Sequence, residues 1–456
     1  MYDLIVLGAG PAGYIAAERA GALKKKVLLI EREEHLGGVC LNWGCIPTKT
    51  LLASAKAYYG ATHSEAFGVT VEKAVFHLDK AMARKAAVQN GLRTGIRGLM
   101  KKFKVEVVRG KATVVAADRV SVDGTDYRAT AILVATGSRP AKPPIAGIEL
   151  PHVVDSSGIL GISTLPKHLA IVGGGVIGVE FACFFASVGV AVTVIEYLTE
   201  ITPSIDADIA ALLRKEMEAK GVRFHLGHKV VRITSDAVHH ADQTGVEQTS
   251  SADMVLVCTG RVPNSDGLGL EQVGLDLKRG AIQVDETMRT NVPGIWAAGD
   301  VTAKSMLAHT ASRQAEVAVN NLFGEGDRMR YHAIPGVIYT SPEVAAVGLS
   351  EAQAKAEGIP VQTATWNLAA NGRFLAEHTG KGMLKVVIHA ETKALLGVAA
   401  IGGSVSEMAF GWAAAIEAEF RVTELKQLVF PHPTVSESLR DAVFHMPSGS
   451  PTSANR

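Results

Sequence analysis

The chain has 456 residues, 47% of them hydrophobic and 20% charged, with a formal net charge of +1. That length suggests roughly three domains of a soluble globular kind, and the near-zero charge gives no electrostatic case for binding nucleic acid or a membrane surface. No apolar run is long and glycine-free enough to span a bilayer; with no basic and apolar leader after Met1, and only four cysteines, the expectation is a cytoplasmic protein without a disulfide framework.

The first predicted element is a strand over Leu4-Ile5-Val6-Leu7. Gly8-x-Gly10-x-x-Gly13, an alanine-rich helix and a second strand ending at Glu31 follow. This is the punctuation of a βαβ unit. In such a unit the first glycine makes a tight turn, the second lets the backbone approach a pyrophosphate, and the third lets helix and strand pack closely. The helix N-terminus meets the phosphate charge, and Glu31 falls at the spacing that suits a ribose hydroxyl. A glycine turn alone is weak evidence. With strand, helix and acid all in place, a dinucleotide site is the stronger reading.

Next comes GGVCLNWGCIPTK, from Gly37 to Lys49, which holds Cys40 and Cys45. On a regular helix their Cα atoms would be roughly 8–9 Å apart, more than the about 7 Å that a disulfide spans. A bridge would therefore need a break in the helix. Gly44 permits one, and Pro47 suits a first helical turn, so a helix is expected from about Cys45 to Tyr58. A thiolate at Cys45 would feel the positive end of that helix. Zinc would need further Cys or His at ligand spacing close by, so no metal site is expected. A structural staple does not suit a reducing compartment. Ordinary core cysteines, the reading for Cys183 on a predicted helix and Cys258 on a predicted strand, need no glycine kink or proline helix start. A redox role is favoured for Cys40 and Cys45.

Further along, a buried strand ends at Gly137, and Pro140, Pro143 and Pro144 mark a boundary. A second copy of the first unit then runs from Leu169 to Glu196, with Gly173, Gly175 and Gly178 in the turn. The offset is constant: 165 residues from Gly8 to Gly173 and from Glu31 to Glu196. A carboxylate at Glu196 accepts a free 2′-hydroxyl and repels a 2′-phosphate, and no Lys or Arg follows it until Arg214, so NAD is expected over NADP. Two such folds suggest two dinucleotides, a flavin and a nicotinamide, with FAD on the first copy beside the cysteines. Strand-like segments recur before Gly260 and Asp300, and after about Arg330 the pattern becomes antiparallel strands followed by helices. The expected order is an FAD-binding domain in residues 1–145 and again in 263–330, an NAD-binding domain in 146–262, an interface domain in 331–446 and a disordered tail in 447–456.

These motifs closely resemble those of the class I pyridine nucleotide-disulfide oxidoreductases, and within them the lipoamide dehydrogenase branch, which oxidises dihydrolipoyl groups. The segment around Cys40 and Cys45 matches that family's redox-active disulfide, and ATG before Ser138, GGGVIGVE, TGRVPN, AAGDV and HPTVSE follow in family order. The resemblance implies an α/β fold of two Rossmann-like dinucleotide-binding domains plus a C-terminal α+β dimerisation domain. It implies that Cys45 is the thiol nearest the flavin, in charge-transfer contact, and that Cys40 is the interchange thiol. Lys49 and Glu180 match an ion pair beside the flavin. Asp300 matches the carboxylate on the ribityl chain, with Ala308 beyond it. Gly38, Gly110 and Gly137 fall among the FAD contacts, and Val230 and Gly260 near the nicotinamide nucleotide.

In HPTVSE, His432 matches a base that takes a proton from the dithiol, a task suited to the imidazole pKa, with Glu437 orienting it. In the family this pair reaches the disulfide of the other subunit, so a homodimer is implied, with lipoyl domains of acyltransferase or glycine-cleavage proteins as partners. Phe430-Pro431, Trp43 and LAHTASRQAEVA depart from the usual pattern without removing a catalytic group. The alternatives are other flavin disulfide reductases. Glutathione and trypanothione reductases prefer NADPH, mercuric reductase adds a C-terminal cysteine pair, and soluble transhydrogenase lacks the redox pair. A purely structural flavoprotein would not need both cysteines together with His432 and Glu437.

Overall fold

A computed structural model describes residues 1–446; the expected tail, 447–456, lies outside them. The strand Tyr2–Leu7 pairs in parallel with Val27–Glu31 on one side and with Thr125–Val134 on the other, and Glu106–Arg109 extends the sheet beyond Val27–Glu31. Leu4, Ile5, Leu28 and Leu29 are fully buried, because helices or strands cover both faces of a parallel sheet and its strands read as unbroken apolar runs. Thr125–Val134 serves two sheets: its first residues continue an antiparallel sheet with Arg119–Val122, and its last six pair with Tyr2–Leu7. The chain returns to this sheet much later, where Ile295–Ala297 pairs in parallel with Thr125–Val134. Helix Ala308–Phe323 then packs on helix Pro11–Ala22.

The second copy builds a five-stranded parallel sheet ordered Arg223–Leu226, Ala191–Glu196, His168–Val172, Met254–Val257, Val153–Asp155. A three-stranded antiparallel sheet, Lys229–Ile233, Ala237–Ala241 and Glu247–Ser251, stands beside it. The C-terminal part is a five-stranded antiparallel sheet, Gly336–Ile338, Glu343–Gly348, Leu395–Gly402, Met383–His389 and Val361–Asn367 in spatial order. Helices Val405–Glu417 and Glu437–Phe444 pack on it around Leu384, Val386, Trp412 and Leu439. Among the described residues no helix is long and apolar enough to cross a membrane.

Candidate active site

A cleft of about 2310 Å³ runs along the carboxyl ends of both parallel sheets. Crevices of this kind are where open α/β sheets bind ligands, and the volume exceeds the roughly 300–1,000 Å³ of an ordinary small-molecule pocket. The two glycine turns face it in the same way. Gly8 has φ +94° and a Cβ there would stand 2.6 Å from the Ala135 carbonyl oxygen; Gly173 has φ +111° and would stand 2.7 Å from that of Cys258. Gly10 and Gly175 line the cleft. Gly13 and Gly178 do not, and a Cβ on them would meet the oxygens of Gly8 and Gly173 at 1.8 and 2.0 Å. Their role is helix–strand packing.

The helices that start at Pro11, Val176 and Ala308 begin on this cleft, and none of these has a side-chain cap. Their first N–H groups are therefore free to bind acceptors such as phosphate oxygens. The two acids are held identically. Glu31 accepts from the backbone of Ala9 (2.7 Å) and Glu33 (3.0 Å); Glu196 accepts from that of Gly174 and of Leu198 (2.7 Å). Arg214, the next cation after Glu196, is engaged by Glu200 and Glu218. Lys229 and His228 line the cleft beside Val230, two groups that local sequence reading did not weigh. Gly110, Gly137 and Gly260 line it as well.

The cysteine segment breaks as its glycine suggests. Helix Gly38–Trp43 ends at Gly44, which leaves helical conformation (φ −145°, ψ −112°), and helix Cys45–Thr62 begins at once, running four residues past the expected Tyr58. Gly38 abuts the first glycine turn: a Cβ there would stand 2.5 Å from Gly10 Cα, so only glycine brings the cysteines this close to the dinucleotide turn. The resemblance implies a Cys40–Cys45 disulfide; the structure holds both as free thiols, the reduced form of the same couple. A hydrogen bond with Cys40, first, and then the Lys49 ammonium and the backbone at the helix start bring the Cys45 thiol down to about 7 against the opposing effect of burial. The same hydrogen bond, with burial, pushes the Cys40 thiol far above the ordinary range. Cys45, at the helix start on the same face as Lys49, is the sulfur better placed to carry a thiolate.

Lys49 lies four residues after Cys45, so both occupy one helix face. Its Nζ is 2.7 and 2.9 Å from the Glu180 carboxylate, which is buried at the start of helix Val176–Ser187 and also accepts from Tyr339 N at 3.0 Å. Across the cleft, Ser138 Oγ donates to Asp300 Oδ2 (2.5 Å) and accepts from Arg261 Nε (2.7 Å), while Arg261 Nη2 donates to the Ser138 carbonyl (2.8 Å). Ser138 and Arg261 line the cleft, and sequence reading passed over both as site residues. The only signal was Arg261 directly after Gly260. Ala308 lines the cleft from the start of its helix. Cys258 sits one residue past its expected strand, Met254–Val257, and lines the cleft with a thiol pushed up to about 12 by burial. Cys183 is buried, as expected of a core cysteine.

His432 and Glu437 form a pair of their own. Nδ1 of His432 lies 3.0 and 3.2 Å from the two carboxylate oxygens of Glu437. Glu437 opens the helix Glu437–Phe444 and also accepts from Thr434 N at 3.0 Å; that bond, and then His432, hold its carboxyl below the usual range. The His432 side chain is 81% exposed and lies outside the residues that line the cleft. A single chain does not unite it with the cysteines.

This arrangement, two dinucleotide-type crevices meeting at a cysteine couple with a separate C-terminal sheet domain, defines a class. Residues 2–315 match the model of the pyridine nucleotide-disulphide oxidoreductase family, and residues 334–443 match that family's dimerisation domain. The chain belongs to this family. It is 39% identical to dihydrolipoyl dehydrogenase 3 of Pseudomonas putida, over 98% of each chain. Among solved structures it resembles the HOCl-induced flavoprotein disulfide reductase RclA of Escherichia coli, with a TM-score of 0.87 and 31% identity over 97% of this chain and 100% of that one. It also resembles LpdA of Mycobacterium tuberculosis, with a TM-score of 0.89 and 29% identity over 97% and 98%.

Proposed function

We propose that the chain works as a dihydrolipoyl dehydrogenase, oxidising dihydrolipoyl groups carried by partner proteins and passing the electrons by way of FAD to NAD+. The observation that carries the reading is the placement of the cysteine pair: the break at Gly44 and the close approach of Gly38 to the first glycine turn set Cys40 and Cys45 at the junction of the two crevices, with the Lys49–Glu180 pair beside them. Residues 1–145 and 263–330 would hold FAD, through Gly8, Gly10, Glu31, Gly38, Gly110, Gly137, Asp300 and Ala308. Residues 146–262 would hold NAD, through Gly173, Gly175, Glu196, Val230 and Gly260. When bound, the flavin would supply two-electron chemistry between the cysteine couple and the nicotinamide.

The steps borne by the chain begin with the oxidised Cys40–Cys45 couple. His432, oriented by Glu437, removes a proton from one substrate thiol, because the thiolate is the attacking species. That thiolate attacks Cys40 Sγ, the Cys40–Cys45 bond breaks, and Cys45 leaves as a thiolate stabilised by Lys49. The second substrate sulfur, deprotonated in turn, displaces Cys40 from the mixed disulfide. The substrate leaves as a disulfide, two electrons poorer, and Cys40 takes up a proton and shares it with Cys45. Lys49 serves the thiolate and is itself anchored by Glu180.

The base must come from a second copy, since His432 is exposed and outside the cleft of its own chain. Phe410 and Val429 of the C-terminal domain are 80% and 95% exposed; apolar side chains presented this way suit a two-fold interface, in keeping with the match to a dimerisation domain. We assign residues 331–446 to it. Steady-state oxidation of dihydrolipoamide by NAD+ in FAD-loaded enzyme tests the proposal; absence of that activity, with the flavin bound and reducible by NADH, would overturn it.

A further inference from the structure

Sequence reading expects no metal site, yet the fold brings three histidines together away from the redox couple. His225 lies on the edge strand Arg223–Leu226, His228 follows in the next turn, and His240 is a fully buried residue of strand Ala237–Ala241. One ring nitrogen from each lies within 4.8 Å of the other two. The three rings pack against one another, with centroids 4.5, 4.9 and 5.3 Å apart. We propose that His225, His228 and His240 form a three-imidazole site for a divalent transition-metal ion of the zinc or copper(II) kind, on the flank of the second dinucleotide crevice.

The hydrogen bonding supports this. Nε2 of His240 lies 2.9 Å from Ser250 Oγ, and its Nδ1 lies 2.9 Å from Nδ1 of His228. With Nε2–H donating to the serine hydroxyl, Nδ1 of His240 presents its lone pair to the cluster. Outer hydrogen bonds of this kind set the tautomer of metal-binding histidines. Two ring nitrogens that face each other are then satisfied by one shared proton or by one cation between them. Nitrogens each about 2.0–2.1 Å from a tetrahedral ion are about 3.3 Å apart, so the pair need open by only a few tenths of an ångström. Three neutral imidazoles and no carboxylate select zinc or copper(II) over the oxygen-seeking magnesium and calcium. A fourth position would be left for water.

The site also joins separate parts of the fold. His225 belongs to the parallel sheet and His240 to the antiparallel one. The turn that carries His228 is strapped to the acid of the crevice: Gly227 N donates to Leu198 O (2.8 Å) and His228 N to Glu196 O (2.9 Å). A bound ion would clip the antiparallel sheet to the edge of the parallel sheet.

The test uses untagged, chelator-treated, FAD-loaded enzyme in its oxidised form, in which a closed Cys40–Cys45 couple offers no thiolate to metals. Calorimetric titration with Zn2+ should give one ion per chain, and one equivalent of Cu2+ should give an electron paramagnetic resonance spectrum with several nitrogen ligands. Ser250→Ala should weaken Zn2+ binding about 10–100-fold, and His225→Phe, which keeps a ring in the cluster, should weaken it at least as much. His240→Gln should abolish it; because that position is buried, His225→Phe decides the matter if His240→Gln does not fold, with retained flavin and NADH-dependent acceptor reduction as its folding check. No Zn2+ binding by the oxidised wild type, binding only after reduction, equal binding of Mg2+, or unchanged affinity in His225→Phe would each overturn the proposal. None of these outcomes depends on which dithiol the enzyme oxidises.

Discussion

Lys49 Nζ stands 2.7 Å from Glu180 Oε2, and this contact ties the cysteine helix to the second dinucleotide unit. Glu180 is nearly sealed, with 4% of its side chain exposed against 32% for Lys49, and it also accepts from Tyr339 N of the C-terminal domain. One carboxylate therefore anchors three parts of the chain. Lys49→Met leaves it with a single donor. Breaking a buried pair costs about 3–5 kcal/mol, and the partial exposure of Lys49 places the loss near about 3 kcal/mol. A lower Tm in the FAD-loaded protein, together with a raised Cys45 pKa, is the expected result. An unchanged Tm and an unchanged thiol titration would show that the contact does neither job.

The lowered Cys45 thiol predicts how the reduced enzyme responds to pH. Its pKa is lowered from an ordinary 9.0 to about 7, so it is a thiolate above about 7 and a thiol below. Its contribution to the stability of the reduced fold is complete above about 9 and is lost as pH falls through about 7. The long-wavelength charge-transfer band implied by the family resemblance should follow the same midpoint. Cys40→Ala removes the largest cause of the shift and should move that midpoint upward. Cys45→Ser should remove the band, and its survival after two-electron reduction would refute the assignment.

The expected preference for NAD+ rests on Glu196. Its carboxylate faces the second crevice with Arg214 engaged elsewhere, although Lys229 and His228 line the same half. A fixed negative charge repels the 2′-phosphate, so kcat/KM with NAD+ should exceed that with NADP+, and Glu196→Ala should narrow the ratio. Higher efficiency of the wild type with NADP+ would mean that Lys229 outweighs the acid.

The proposed sharing of the site between two subunits makes a stricter demand. A positioned base contributes on the order of 10²–10⁴-fold, so His432→Gln should slow dihydrolipoamide oxidation by that order. NADH-dependent reduction of artificial acceptors, which needs no such base, should change much less. Cys45→Ser and His432→Gln homodimers should both be inactive. Reassociated together, they form heterodimers in which one site is intact, and activity should return. Verified heterodimers that stay inactive would refute the shared site.

What the sequence determined by itself is whatever local backbone chemistry dictates. A tight turn, a pyrophosphate approach and a helix–strand contact each require glycine at a set spacing, so both dinucleotide units could be read directly, and their 165-residue offset exposed the repeat. Gly44 and Pro47 likewise announced the break and the helix start at Cys45. The Lys49–Glu180 pair and the roles of Asp300 and His432 came from family resemblance, because no spacing encodes them. Only the tertiary structure joined Ser138 to Arg261, 123 residues away, and to Asp300, 162 away. It alone gathered His225, His228 and His240, whose rings meet because an antiparallel sheet stands against the edge of a parallel one. It also left His432 outside its own cleft. Such contacts depend on how sheets stack and where the chain returns, and neighbouring residues along the sequence carry no record of that.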